Sequence, residues 1–262
     1  MGRLTCSLAL LLSGILAGCG RAPAVARVEW TAMGTVAAVQ GRGDGDLAAA
    51  RKAAQDAFTR VSDEFNRFDT NSTLRRLGRV SSFGQPCWDA AMRLRAASDR
   101  AFDPSWRGPD DLDFGAIAKG FAVDVAAEAV RGMGGDLLID LGGNLKAVRG
   151  DWRIGVRSPS GEGVATIVTL RAGEALATSA EYFRGKHIHD GRTGLPVSND
   201  VASVSVRCPS ALWADGLSTT LFVLGPDAGK RFLRTRLPEL LGPDAAVSVL
   251  WILKDGRDVW YR

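Results

Sequence analysis

Four strand-like runs crowd the middle of the chain: "DLLIDLGG" (136–143), "WRIGVRSP" (152–159), "VATIVTL" (164–170) and "EALATSA" (174–180). Short turns separate them, with no room for the crossover of about a dozen residues that a parallel pair requires. Strands this close in sequence pair antiparallel. "TVAAVQG" precedes them, and "VASVSVRC", "VSVLWIL" and "DVWYR" follow. Helical periodicity is as clear elsewhere. "LAAARKAAQDAFTRVSDEF" puts Leu47, Ala50, Ala54, Phe58, Val61 and Phe65 on one stripe. A second helix starts at Pro86, a favoured first-turn residue, and runs through "CWDAAMRLRAASDRA". A third spans Ile117 to Val130 and stops at "GMGG"; a fourth is "ALWADGLSTTLFVLG", and a short fifth is "AGKRFLRTRL". Helices and strands come in clusters, which predicts an α+β fold: a single domain with a mostly antiparallel sheet packed by helices. The 262 residues, 46% hydrophobic and 24% charged, suffice for one core and are few for two.

The formal charge of +4 comes from interspersed acids and bases, with no basic block longer than "LRR" or "RLR". That is ordinary surface charge, and no nucleic-acid partner is expected. The N-terminus is more specific. "MGRLTCSLALLLSGILAGCG" has one cation, Arg3, then an apolar run from Leu8 to Ala17 that is short for a bilayer span. It ends in Leu16-Ala17-Gly18-Cys19, similar to a bacterial lipobox. The expectation is a lipoprotein signal peptide over 1–18, lipidation at Cys19 and a tether over 19–30. A catalytic domain over 31–262 would then be held at a lipid bilayer by its acyl anchor, in the periplasm. A plain signal peptide with an incidental cysteine is the alternative. Cys6 leaves with the signal peptide. Cys87 and Cys208 remain, either as a disulfide or as two buried thiols. Neither has a histidine or acid at metal-ligand spacing, so no zinc site is expected.

Three stretches carry chemistry. "DFGAIAKGFAVDVAAE" sets Gly115, Lys119 and Gly120 at a helix start, where close backbone approach, unpaired N–H groups and a cation suit an anionic phosphate. A strand-to-helix turn with a solvated lysine fits the same residues. In "ALWADGLSTTLFVLG", Asp215 and Thr219 lie one turn apart on one face, hard oxygen donors suited to Mg²⁺ or Ca²⁺. Equally, Asp215 can serve the helix dipole while Thr219 bonds its own helix backbone. In "EYFRGKHIHDGRTGLP", His187 and His189 share one face of an extended segment and Asp190 takes the other. A histidine beside an acid can serve as a general base, or both can sit on a hairpin without a role.

Seven blocks in order resemble the ApbE family, the FAD:protein FMN transferases. They are "MGT" (33–35), "RFDTNSTLRRL" (67–77), "AFDPS" (101–105), "DFGAIAKGFAVD" (113–124), "LIDLGGNLKAVRG" (138–150), "ATSAEYFRGKHIHDGRTGLP" (177–196) and "VSVRCPSALWADGLSTTLFVLG" (204–225). The resemblance implies an ApbE/T-fold-like domain that uses FAD as substrate. FMN passes to a serine or threonine hydroxyl of an acceptor flavoprotein subunit, and AMP is released. It implies cofactor contacts at Met33, Phe68, Ala101, Phe102, Asp103, Asp113, Lys119 and His189. The implied metal site is the Ala116 carbonyl with Asp215 and Thr219, Ser218 being a further ligand in some members, and it holds Mg²⁺ with Ca²⁺ as an alternative. His187 corresponds to the histidine beside the reacting phosphate and is the expected base, with Asp190 as helper or substitute, and Asp190 and Thr193 hold the turn beside it. FAD hydrolysis to FMN and AMP, or cofactor storage without catalysis, are the other functions such a site implies. Three features depart from the family pattern. "DGRTG" replaces Asp-Pro-x-Thr-Gly, "TSA" replaces Thr-Ser-Gly, and only "WRGPDDL" stands where most members carry a longer insert.

Overall fold

The computed structural model describes residues 24–159, 163–181, 185 and 187–262. The expected signal peptide, Cys6, Cys19 and the first part of the tether lie outside the described residues. β1 (Ala26–Ala32) and β2 (Thr35–Arg42) form a hairpin. Its turn residues Met33 and Gly34 both have positive φ, 47° and 70°, which suits the twist of the flanking strands. Ala26–Trp30, inside the range expected for a tether, pair with β2. Then come α1 (Leu47–Phe65), α2 (Thr73–Leu77), α3 (Gln85–Ala97) and α4 (Ala118–Ala129). β3 (Asp136–Leu141), β4 (Asn144–Arg149), β5 (Trp152–Arg157), β6 (Val164–Leu170), β7 (Ala175–Ala180) and β8 (Val201–Cys208) follow. α5 (Ala211–Thr235), α6 (Leu237–Leu241), β9 (Ser248–Leu253) and β10 (Asp258–Tyr261) complete the chain.

Eight strands form one sheet in the order β1-β2-β3-β4-β7-β8-β9-β10, every pair antiparallel. The helices cover one face. β5 and β6 form a separate two-stranded sheet over part of the other. β3 shows why its sequence is apolar throughout. Leu137, Ile139 and Leu141 enter the core shared with the helices, while Leu138 packs with Trp152 and Leu170 of the small sheet.

The expected helices appear with two changes. α1 and α3 begin as anticipated; Asp46 caps α1, its carboxylate accepting from Ala49 N–H. The fourth and fifth expected helices run together as α5, bent where Gly225 (φ 70°) precedes Pro226. Glycine supplies the left-handed backbone there, and proline cannot continue the hydrogen-bond ladder. β1, β4, α2 and α6 were not anticipated. β1 and β4 carry charged residues along their length, and α2 is a single turn capped by Ser72.

α4 and α5 meet without space between them. A Cβ on Gly120 would lie 2.2 Å from the Ala211 carbonyl oxygen and 2.6 Å from Asp215 Cβ. Cys87 and Cys208 are buried and free, which resolves the disulfide question in favour of thiols. Among the described residues no helix is long and apolar enough to cross a membrane.

The register gathers the candidate residues at one end of the sheet. Ala37, Leu141, Asn144, Ala177 and Val206 form a row across β2, β3, β4, β7 and β8. Met33, the Gly142-Gly143 turn and Ser179 lie beyond that row on the same side. The antiparallel connections bring the C-terminal end of α1, the start of α4 and the Thr219 turn of α5 to that end as well.

Candidate active site

Ser179 on β7 is the link between sheet and helix. Its hydroxyl lies 2.8 Å from Ser218 Oγ and 3.1 Å from Thr219 Oγ1. Ser218 donates to the Asp215 carbonyl (2.9 Å). Each hydroxyl has one proton. With Ser218's proton on that carbonyl, Ser179 must donate to Ser218 and Thr219 to Ser179. The Thr219 oxygen keeps its lone pairs for another partner. The neighbouring Thr220 is the residue that bonds its own helix, donating to the Gly216 carbonyl at 2.7 Å. Thr219 is thus freed from the backbone role, and it is half-buried, whereas Ser218 is fully enclosed. Ser218's hydroxyl is committed twice, so it supports Thr219 instead of standing as a further open ligand.

Asp215 is 5% exposed. Its Oδ2 accepts from Gly120 N–H (2.8 Å), and among the described residues no cation forms an ion pair with it. A buried carboxylate with one neutral donor is costly unless a positive charge compensates it. With the half-free Thr219 oxygen one turn on, and Ala116 one turn before Gly120, the donor set is all hard oxygen and fits Mg²⁺ or Ca²⁺. Among the described residues no group of three or more His, Cys, Asp or Glu clusters as metal ligands. One carboxylate, a hydroxyl and a carbonyl would suit a hard, partly hydrated cation. The Gly120 expectation is corrected: its missing side chain admits α5, and not a ligand.

The loop before α4 is self-supporting. Asp113 Oδ1 accepts from Gly115 N–H (2.9 Å), and Lys119 Nζ donates to the Gly115 carbonyl (2.8 Å). Lys119 spends one of its three donors there, leaving a cation beside the start of α4. Arg67 stands near Asp113 (3.9 Å) and bonds Asp111 (3.1 Å), and its guanidinium lies 4.6 Å from the Phe68 ring centre. Phe68 is 84% exposed, the largest apolar side chain so displayed among the described residues. Met33 is half-buried at the β1–β2 turn.

The segment 99–113 joins this loop to the histidines. Asp99 and Arg100 both have positive φ (50° and 65°). They are held by Asp103, whose buried carboxylate accepts from Arg95 (2.9 Å), Arg100 (2.8 Å) and both the amide (2.9 Å) and hydroxyl (2.7 Å) of Ser105. Burial works to raise the Asp103 carboxyl. Hydrogen bonds from Ser105, then Arg100, and the charge of Arg95 outweigh it and hold it below the usual carboxylate value. Ala101 and Phe102 belong to the core. The side chains of Ala101, Phe102 and Asp103 are therefore structural, and a lining role falls to their backbone alone. Gly191 N–H donates to the Ala101 carbonyl (3.2 Å), and a Cβ there would meet the Arg100 carbonyl oxygen at 2.4 Å. A proline at 191 would lose that N–H bond and meet the Arg100 backbone.

His187 Nδ1 lies 2.9 Å from the Gly185 carbonyl, and His189 Nδ1 lies 3.1 Å from the His187 carbonyl. A carbonyl only accepts, so both Nδ1 atoms carry hydrogen, and in the neutral ring the lone pair is on Nε2. His187 is exposed; Ile188 is buried between the two. The His189 ring stacks on Trp106, centroids 3.9 Å apart at 13°. Asp190 does not reach His187. It is clamped by Arg192 through Nε (2.8 Å), Nη2 (2.6 Å) and the amide (2.9 Å), and that pairing holds its carboxyl below the ordinary value. Asp190 is engaged within the turn and not with His187, and the Thr193 amide donates to the Asp190 carbonyl. Residues 182–184 and 186 lie outside the described set. Ser179, Trp106 and Arg192 had no assigned role in the sequence, and Asp103 had been expected only as a cofactor contact. Only Ser179, inside "TSA" beside a strand end, left a signal.

The model of the ApbE family matches residues 107–241, about half of the chain. A FAD:protein FMN transferase from Treponema pallidum is 36% identical over 169 residues, covering 56% of this chain and 44% of that protein. One from Klebsiella pneumoniae is 38% identical over 136 residues, 48% of this chain and 43% of that protein. The chain thus spans less than half the length of these curated relatives. The fold is shared more widely. The flavin transferase ApbE from Vibrio cholerae superposes with a TM-score of 0.73 at 22% identity, covering 92% of this chain and 97% of that one. The ApbE protein from Thermotoga maritima gives 0.77 at 21%, covering 90% and 96%. Given the family match over its central half, which holds the Asp113–Lys119 loop, the histidine turn and the Asp215–Thr219 helix, this chain belongs to the ApbE family.

Proposed function

We propose that this protein transfers FMN from FAD to a serine or threonine hydroxyl of an acceptor flavoprotein and releases AMP. The observation that carries the reading is the freed oxygen pair: a buried Asp215 with no ion-pair partner among the described residues and a Thr219 whose proton is turned to Ser179. Asp215, Thr219 and the Ala116 carbonyl would hold Mg²⁺, with Ca²⁺ as the alternative. When bound, such an ion neutralises charge developing on phosphate oxygens.

The remaining work belongs to the chain. Lys119 and the start of α4 attract the diphosphate. Phe68 offers an exposed aromatic face to the flavin, and Met33 an adaptable apolar contact at the same sheet end. The Asp113–Gly115 turn keeps Lys119 in place. His187, protonated at Nδ1, presents Nε2 as acceptor. The acceptor hydroxyl oxygen bonds to the FMN-side phosphorus, and its proton passes to His187 Nε2. The phosphorus–oxygen bond to the AMP side breaks, and AMP departs with the bridging oxygen. Asp190 stays ionised in its pair with Arg192 and holds the turn. For location, the Leu16–Cys19 motif supports a lipid-anchored protein of the bacterial cell envelope with its catalytic domain in the periplasm.

The test mixes the protein with FAD, Mg²⁺ and a candidate acceptor subunit and follows flavin on a denaturing gel. Fluorescence on the acceptor band is the expected result. FMN and AMP without labelled acceptor would replace transfer by hydrolysis, and intact FAD retained by the protein would replace it by storage.

A further inference from the structure

Two carboxylates cross between α4 and α5. Asp215 of α5 accepts from Gly120 N–H of α4 (2.8 Å). Asp124 of α4 accepts at the start of α5 from Ala211 N–H (3.0 Å), Leu212 N–H (2.9 Å) and the Ser210 hydroxyl (2.8 Å). Gly120 and Asp124 are one turn apart, as are Ala211 and Asp215. The two contacts are therefore rungs of one antiparallel ladder. Each acid also completes a cap: α4 begins at Ile117 with no capping side chain of its own, and Asp215 supplies the missing acceptor. Lys146 of β4 donates to Asp124 (3.1 Å) and to the Pro209 carbonyl, fixing the carboxylate from the sheet side.

This ladder sets the register on which the proposed metal site depends. Ala116 lies one turn before Gly120 on one side; Thr219 lies one turn after Asp215 on the other. A slip or pivot of α5 on α4 separates those oxygens. The Gly120–Asp215 hydrogen bond is one polar anchor of that contact, beside the packing of Gly216 against Ile117. Asp124 supplies the second.

We infer that Asp124 is a positioning residue for the metal-binding oxygens. It touches neither substrate nor metal, and it acts by locking α5 to α4 so that Asp215 and Thr219 face Ala116. The inference rests on the transfer reading above.

The experiment uses the full chain with FAD and Mn²⁺ as probe, the free ion read by its electron paramagnetic resonance signal. Asp124→Asn is expected to weaken Mn²⁺ binding about tenfold, the scale seen when groups that orient metal ligands are removed. Exchange at the Gly120 amide should quicken along with that at Ala211 and Leu212, and transfer should recover at raised Mg²⁺. Ser210→Ala, a milder change, should shift binding the same way by less. Faster exchange at Ala211 and Leu212 with Mn²⁺ affinity unchanged would reduce Asp124 to a helix cap and overturn the inference alone. If Asp124→Asn does not fold, unchanged affinity in Ser210→Ala overturns it. Absence of FAD-dependent Mn²⁺ binding in the unsubstituted protein would remove the transfer reading and the inference together.

Discussion

Asp215 and His187 divide the proposed chemistry unequally, and the division can be measured. A loose phosphoryl-transfer transition state depends on charge stabilisation more than on base strength. Asp215→Ala should lower transfer by about 10³-fold, the upper range for losing one electrostatic stabiliser. His187→Ala should cost less, about 10²-fold. Single-turnover rates at saturating FAD and Mg²⁺ would compare them, and equal losses with metal still bound would contradict the ranking. Gly191 gives a second test. Proline there restores the family pattern, yet it removes the N–H that meets the Ala101 carbonyl and drives a Cβ into the Arg100 backbone. Gly191→Pro should therefore lower the melting temperature here. Asp103 gives a third. Its folded-state pKa lies below the ordinary value, so the unfolded chain binds its proton more readily. The stability it confers is complete above the unfolded pKa, about 3.9, and is lost as pH falls through the folded one. Asp103→Asn should flatten the acid limb of a stability–pH curve measured below pH 4. An unchanged acid limb would assign that loss to other carboxylates. The roles of Lys119 and Thr219 could be proposed from spacing because the relevant contacts are local or one turn apart, whereas Asp113 was implied by the family resemblance alone. Those of Ser179, Asp103 and Trp106 could not, because their partners come from other elements: Ser218 and Thr219, Arg95, and His189.

At the scale of elements, the α4–α5 contact carries the account. Gly120→Ala would force a methyl group against the Ala211 carbonyl and Asp215 Cβ, backbone on one side and the site acid on the other. Overpacking against backbone should reduce the melting temperature by roughly 5–10 °C. Calorimetry showing no loss would mean that the helices move apart freely. The glycine was read in the sequence as an opening for a ligand, since glycine next to a helix start suits both close ligand approach and close helix packing. Periodicity within one helix does not show what the helix meets. β1 and β4 were missed for a related reason. Both carry charged residues between apolar ones, and their strand character comes from pairing with β2, β3 and β7. α5 was divided at Gly225-Pro226 in the sequence reading, and the bend is there, but both halves continue one run. The thiols belong here too: burial raises Cys208 to about 12, and burial with the Asp215 charge raises Cys87 further. Neither should react with a thiol reagent until the chain is unfolded, and rapid labelling of the native protein would place one of them at the surface.

For the whole molecule, a single antiparallel sheet sends its strand ends, two helix termini and one exposed aromatic to the same edge. The fold class was legible because short spacing between strand-like runs leaves no alternative to antiparallel pairing. The strand order was not, since β2–β3 and β8–β9 are joined through helices. The short 105–113 segment is tied down rather than loose: Asp111 binds Arg67 and Arg107, and Asp113 N–H donates to the Pro104 carbonyl. This segment therefore sets Trp106 against His189 and a charge network against Arg67. The central claim is that FAD and a divalent ion bind together through Asp215 and Thr219. Titration calorimetry of FAD into the protein with and without Mg²⁺ measures that most directly. The account predicts strong heat with the ion, much weaker heat without it, and loss of the difference in Asp215→Ala. Equal FAD binding with and without Mg²⁺ in the unsubstituted protein would contradict it.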